Sequence, residues 1–462
     1  MNGTPSPVRQ FLRSSGVMLA LYIGSAGLTF LVGAMLARLL GPANYGVYAL
    51  AMTTATLIGM VTEFGLPVLA MRAVGAARGD GNWSMVRGLL HWADRVILGL
   101  SLVLIAATFA GYALFTKTHS SAYLATLLWA VALVPVVAIG KLRSFVLLAL
   151  DSVLASQFPV MILRPALFLG GCLALWWANG YLTPEAAMAA QVGGAAAAML
   201  VVLVLFARDR PPGLAKAQPS FAVRGWLSAC LPMGMTEGLR LLQGQLALIL
   251  VGALAGVAQA GIYRVADAAL QVTSLLTSVA GTAATPLFGR LWSAGDRVGT
   301  ERVAVLSAWV MLGGVMLLGL PVAIGGYWLF PMIFGPQFAG SVPVFWALWG
   351  GVLLASTCGL ALALANMTGQ HVLSTMAFTV IALVNVAAGS LLVPRYGALG
   401  AALASGIASI TGAVFCTIML RHRTGLNASL FNPAALGIAI AALTAAKARF
   451  LGKKPESGGD EN

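Results

Sequence analysis

Charge is what this chain is short of. Only 9% of its 462 residues are Asp, Glu, Lys or Arg, and just 13 are acidic, whereas a soluble globular domain carries about a quarter charged residues. A water-soluble enzyme or binding module is excluded on that ground. Cysteine and histidine are equally sparse, four of each. With no CxxC pair and no His cluster, neither a zinc site nor a redox motif is written into their spacing. Cys172, Cys230, Cys358 and Cys416 each fall inside an apolar stretch and read as small packing residues. No GxxxxGK[ST] loop occurs, so the chain does not hydrolyse nucleotide through one. No cofactor is expected.

Apolar sequence fills the space that charge leaves. The chain is 60% hydrophobic, with mean hydropathy +0.92. A bilayer core is about 30 Å thick and takes roughly 20 apolar residues per helical span. Stretches of that length recur from Val17 to Leu420 between short polar breaks, which predicts an all-α polytopic membrane protein of about twelve transmembrane helices. The N-terminal apolar run continues to Leu40 with no cleavage pattern before a polar mature chain, so it is a retained first span.

The net charge of +14 is a topology signal, not a nucleic-acid patch. With the N-terminus in the cytoplasm, inward segments collect Arg72, Arg78, Arg87, Lys141, Arg143, Arg208, Arg210 and Arg290 among others, while outward loops hold only Arg38, Lys117 and Arg395. A bacterial inner-membrane protein with a cytoplasmic N-terminus is expected, and no nucleic acid partner.

Spans one to six fall at about 17–40, 45–70, 92–115, 123–139, 155–177 and 185–206. A basic, proline-rich cytoplasmic linker follows at 207–225. Spans seven and eight lie within 231–288, and nine to twelve at about 303–330, 342–365, 372–393 and 398–420. This divides the chain into an N-terminal six-helix lobe (1–206), the linker, a C-terminal six-helix lobe (226–423) and a terminal stretch (424–462). In that last stretch Pro433–Ala446 is too short to span and reads as interfacial, ahead of a polar tail.

The charges that remain inside the membrane are the informative ones. Span seven carries Thr236, Glu237, Arg240, Gln243 and Gly244 on one helical face. Span eight carries Arg264, Asp267, Gln271, Ser274, Ser278, Thr282 and Thr285 at steps of three or four, a polar stripe down an apolar helix. Span five holds Arg164-Pro165 roughly 14 Å deep at helical rise, costly unless the arginine faces a cavity. Glu63, near the cytoplasmic end of span two, reads as a hydrated acid paired with Arg72.

The halves echo each other. Leu31-Val32-Gly33-Ala34 leads to Gly46-Val47-Tyr48-Ala49, and Leu250-Val251-Gly252-Ala253 leads to Gly261-Ile262-Tyr263-Arg264. Span one therefore matches seven and two matches eight, a repeat of even span number related by an axis along the membrane normal.

Three segments carry a family resemblance: Ala37-Arg38-Leu39-Leu40-Gly41-Pro42-x-x-Tyr45-Gly46-x-Tyr48, Glu63-Phe64-Gly65-Leu66, and Pro394-Arg395-Tyr396-Gly397-x-x-Gly400-Ala401-Ala402. The chain resembles, from about Phe11 to Leu420, the Wzx-type polysaccharide-unit flippases of the multidrug/oligosaccharidyl-lipid/polysaccharide exporter superfamily. The resemblance implies two six-helix lobes around a central cavity, often cationic. It also implies alternating-access transfer of undecaprenyl-pyrophosphate-linked oligosaccharide to the outer leaflet, in an exopolysaccharide, capsule or O-antigen pathway. Polymerase and export machinery of the same pathway are the implied protein partners.

On this reading Arg164, Arg240 and Arg264 meet the pyrophosphate, because guanidinium groups match phosphate oxygens bidentately. Gln243 and Gln271 bond sugar hydroxyls, and Glu237 or Asp267 couples transport to an ion by alternating between protonated and paired forms. The competing reading makes Glu237–Arg240 and Arg264–Asp267 inert intrahelical pairs. A multidrug or lipid II exporter of the same superfamily is the nearest alternative function. A membrane glycosyltransferase or polymerase fits less well, since the outward loops are short and offer only Glu185 as an acid.

Overall fold

The computed structural model describes residues 7–115, 121–426 and 430, so Pro433–Ala446 and the tail lie outside the described residues. Within them the chain is helical, with no strand. In order the helices are α1 Pro7–Glu63, α2 Leu66–Asp80, α3 Trp83–Phe115, α4 Ser121–Ala149, α5 Val153–Phe158, a π-turn Pro159–Leu163, α6 Arg164–Asn179, α7 Pro184–Asp209 and α8 Pro212–Lys216. They continue as α9 Val223–Leu254, α10 Val257–Thr273, α11 Leu275–Ser293, α12 Arg297–Phe334, a 3-10 turn Pro336–Phe338, α13 Ser341–Ser356, α14 Ala361–Met367, α15 His371–Tyr396 and α16 Ala398–Thr424.

Among the described residues nine helices are long and apolar enough to cross a bilayer, and the pair α13–α14, bent by 46°, makes ten. The remaining two of the expected twelve are explained by breaks. Gly41 (φ 70, ψ 171) interrupts α1, and Pro42, with φ preset and no N–H to satisfy, restarts the helix. Thus α1 holds spans one and two. Span eight is split at Ser274 into α10 and α11, so its polar stripe runs over two helices instead of the single one expected. Span two also ends earlier than Ala70. Phe64 (φ 33) and Gly65 (φ 77) both take positive φ, which closes the helix at Glu63 and sends α2 off separately. A β-carbon at Gly65 would lie 3.0 Å from the Cys230 carbonyl, so glycine serves both the turn and the close approach.

The chain packs as two compact units, Met1–Ala268 with Phe330–Gly340, and Ala269–Leu329 with Ser341–Asn462. The first has a core of Leu66, Leu69, Val74, Leu89, Ile97, Leu142 and Trp226, in which the apolar face of α2 closes the ends of α3, α4 and α9. The segment between α7 and α9 is fastened to this core. Arg87 donates to the carbonyls of Ala215 (2.8 Å) and Ala217 (2.6 Å), the Ser220 amide donates to the Ser84 carbonyl at 3.1 Å, and Gly213 sits against the Trp83 ring. Arg143 pairs with Asp94 at 2.5 Å under the Phe206 ring.

At one crossing in this unit the sequence repeat becomes visible in three dimensions. A β-carbon on Gly46 would strike the Val257 carbonyl, and one on Gly261 would strike the Pro42 carbonyl. Gly46 and Gly261 are repeat equivalents, and each meets the residue four places before the other, so the contact is two-fold symmetric. Small residues allow such backbone approach without a hydrophobic driving force in lipid.

The second unit has its own core of Phe288, Leu364, Leu373, Cys416 and Leu420. Gly412 opposes the Ile381 side chain, and Gly406 packs on Gly351, again letting helices close on small residues. All four cysteines are free and buried, as the sequence implied.

Candidate functional site

A cavity of about 330 Å³ opens in the first unit between the second half of span one, the start of span two, the π-turn with α6, and α10. Its walls carry an aromatic ladder. Phe338 stands edge-on to Tyr45 (ring centroids 6.3 Å), Tyr45 stacks on Tyr48 (6.4 Å) and Tyr48 on Phe168 (6.1 Å). Ser25, Thr29, Thr53 and Thr56 add hydroxyls, and Gln191 and Gln245 add amides.

Two of the three arginines picked out by sequence, Arg164 and Arg264, line this one cavity. Arg164 is placed by its local sequence. Pro159 opens the π-turn, and the Arg164 amide closes it by donating to the Pro159 carbonyl. Pro165 then has no N–H to give, so the wide turn persists instead of tightening to α. Among the described residues no carboxylate lies within ion-pair distance of Arg164. The same side chain also borders cavities of about 230 and 160 Å³. Arg264, by contrast, is bonded to Asp267 one turn on, at 2.7 Å.

The 230 Å³ cavity contains a further ion pair. Lys141 meets Glu63 at 2.5 Å, the acid being 13% exposed. This corrects the expectation that Glu63 is hydrated and paired with Arg72: the positive-φ turn at Phe64–Gly65 carries Arg72 away on α2, and the partner comes from α4. With Glu63–Lys141 and Arg264–Asp267 each neutral, the surplus charge facing these cavities is the Arg164 cation.

The other expected residues stand elsewhere. Arg240 and Glu237 form a bidentate pair on α9, 2.6 Å at its shortest, with both side chains about half exposed. Gln243 is half-buried and Gln271 exposed, and neither borders the cavity. The amides that do border it were missed. Gln245 accepts from the Thr53 hydroxyl at 3.2 Å, two residues from Gln243 and so on another face of α9. Gln191 is 9% exposed and its Oε1 finds no donor among the described residues. The available signal was a lone amide in the Ala/Gly-rich stretch of α7. A cation without a counter-ion, an acceptor without a donor and stacked rings together suit a ligand with an anionic group and hydroxyls.

An all-helical, multi-pass bundle with polar groups turned into an internal cavity is the architecture of membrane transport proteins. The fold is shared with an inward-facing multidrug resistance MATE family transporter of the MOP superfamily (TM-score 0.72, 13% identity, 86% of this chain and 94% of that one). It is shared also with the lipid II flippase MurJ in an inward closed conformation (0.71, 12%, 96% and 94%) and with the Vibrio cholerae MATE transporter VcmN in its bent form (0.55, 16%, 89% and 98%). No curated protein sequence matches the chain. Residues 11–292 match the family described as polysaccharide biosynthesis protein, more than half the chain, and the protein belongs to that family.

Proposed function

We propose that the protein is a flippase for lipid-linked oligosaccharide, moving undecaprenyl-pyrophosphate-linked units from the cytoplasmic to the outer leaflet of the inner membrane. The observation that carries this is Arg164, a cation with no counter-ion among the described residues, facing a cavity that also holds the unmatched Gln191 acceptor, in a chain of a polysaccharide biosynthesis family. An intramembrane charge is costly to keep and marks a substrate path. Pyrophosphate supplies the missing anion, and sugar hydroxyls supply donors for Gln191 and partners for Gln245 and the threonines.

Arg164 is the principal phosphate-binding group in this reading. Arg264 assists when Asp267 releases it, and Asp267 or Glu237 is the coupling acid. Arg240 and Gln243 act at the exposed face of α9 as the ligand enters, and Gln271 does so on α10. Transport proceeds by rocking of lobes 1–206 and 226–423 about the linker. Polymerase and export proteins of the same pathway receive the product. The competing function is export of drugs or lipid II, as in the fold relatives.

Translocation of undecaprenyl-pyrophosphate-linked oligosaccharide in proteoliposomes, with and without a proton gradient, tests the reading. Flipping that is lost in Arg164→Ala supports it. Export of small organic cations with no flipping of any lipid-linked glycan transfers the protein to the multidrug function.

A further inference from the structure

A second hollow in the first unit, about 490 Å³, is larger than the arginine cavity and more apolar in its lining. Its walls are Val47 and Leu50 of span two and Ile249, Ala253 and Val257 from the end of α9 and start of α10. Thr53, Thr54 and Tyr123 of α4 add polar groups to this lining, and the Thr54 hydroxyl is turned back to the Leu50 carbonyl at 3.0 Å. For scale, an apolar cavity of roughly 150 Å³ takes up benzene, so this one has room for several branched five-carbon units.

Its position gives it meaning. Thr53 borders both hollows, and the Thr53–Gln245 hydrogen bond, 3.2 Å, stands in the wall between them. A neutral hydrogen bond of this kind is weak in net terms. A ligand with an anionic head joined directly to a hydrocarbon chain cannot put its head in the polar cavity without bringing the first part of the chain through a wall. Each methylene left among polar groups is unfavourable, whereas an apolar hollow accepts it.

Building on the flippase reading, we propose that this hollow is the binding site for the head-proximal isoprene units of the polyprenyl chain, occupied while the pyrophosphate lies against Arg164. The occupant is the chain of the transported lipid and not an acyl chain of bulk phospholipid. The exposed side of Ala253 admits the rest of the chain to the bilayer.

The test compares undecaprenyl pyrophosphate with inorganic pyrophosphate, which carries the same anionic group and no chain. In detergent micelles the native protein should bind the long ligand at least about tenfold more tightly, as burial of several further methylenes requires. Ala253→Trp, which fills the hollow from its open side, should cut that preference to about twofold while leaving inorganic pyrophosphate binding unchanged. Equal weakening of both ligands by Ala253→Trp overturns the assignment. Photocrosslinking of the unmutated protein guards against misfolding: a diazirine on the third isoprene unit should label 47–54 and 249–257. Equal labelling there by a diazirine phosphatidylethanolamine, or labelling only elsewhere, overturns it. Native protein that binds both pyrophosphates equally removes the chain site but keeps the flippase reading. Protein that binds neither removes both.

Discussion

Gly46 and Gly261 face each other across a helix crossing with no side chain between them, and each is the other's counterpart in the sequence repeat. The contact joins the start of span two to the start of α10, the two segments that carry Tyr48 and Arg264 into the cavity. Close helix approach here fixes how far those side chains reach.

Gly46→Ala and Gly261→Ala should therefore each destabilise the purified protein by about 1–3 kcal/mol, the usual cost of overpacking. Both substitutions wedge one crossing, so the double variant should lose less than the sum. Gly59→Ala, where an added β-carbon meets nothing within 4 Å, is the control and should change stability by under about 0.5 kcal/mol. Thermal unfolding in detergent measures all four, and full additivity would contradict a shared crossing.

Arg164 separates stability from transport. A lone cation inside a membrane destabilises the fold, so Arg164→Met should melt at the same temperature as the native protein or higher, yet transport at least about tenfold more slowly, as loss of one charge-assisted contact of roughly 1.5–3 kcal/mol implies. Arg240→Ala, which breaks an intrahelical pair that does not border the cavity, should retain most transport. The reverse ranking would remove Arg164 from the substrate path.

Gln191→Leu relieves an unmatched buried acceptor and should gain about 1 kcal/mol in stability, with weaker binding of the glycan. Unchanged glycan affinity, read by competition with the free oligosaccharide pyrophosphate, would separate Gln191 from the ligand.

For Glu63–Lys141 the order of damage is the test. Lys141→Met leaves a mostly buried carboxylate alone and should cost about 1–3 kcal/mol, while adding Glu63→Gln should restore most of it. A double variant no more stable than the single one would mean that the pair contributes through contacts other than their mutual bond.

The segment between α7 and α9 offers trypsin Lys216, whereas Pro211 protects the bond after Arg210. Fastened as it is by Arg87, it should resist cleavage after Lys216, and Arg87→Ala should speed that cut about tenfold, the change expected for a loss of roughly 1.4 kcal/mol in local closure. Equal rates would show that the Arg87 bonds do not hold it.

Much of this was legible in the residues. Apolar length found the spans, and depth in a helix singled out Arg164 without reference to a partner. Long-range pairing was not legible. Glu63 was assigned to Arg72 because nine residues separate them, and no periodic signal points to Lys141 on α4. Gln243 continues the Glu237–Arg240 face and so stood out in the sequence, but the cavity lies on another side of α9, where Gln245 stands. Ser274 ends α10 without a glycine or proline to announce it. The preceding Thr273 hydroxyl bonds back to the Leu270 carbonyl, the kind of local competition that bends helices and leaves no period in the sequence. The cavity itself gathers residues from 25 to 264 in the chain, and only their folding together shows that separate helices share it.

The burial of Cys172, Cys230, Cys358 and Cys416, all at most 4% exposed, has a practical side. Enclosed in apolar surroundings, such thiols are inert, so the native chain is already a silent background for thiol labelling. A single Asn82→Cys or Tyr181→Cys, each on an exposed turn at the end of a helix, can be reached by a membrane-impermeant maleimide from one side only. Which one reacts in intact cells reads out the orientation of the bundle directly, with no native sulfur needing to be engineered away.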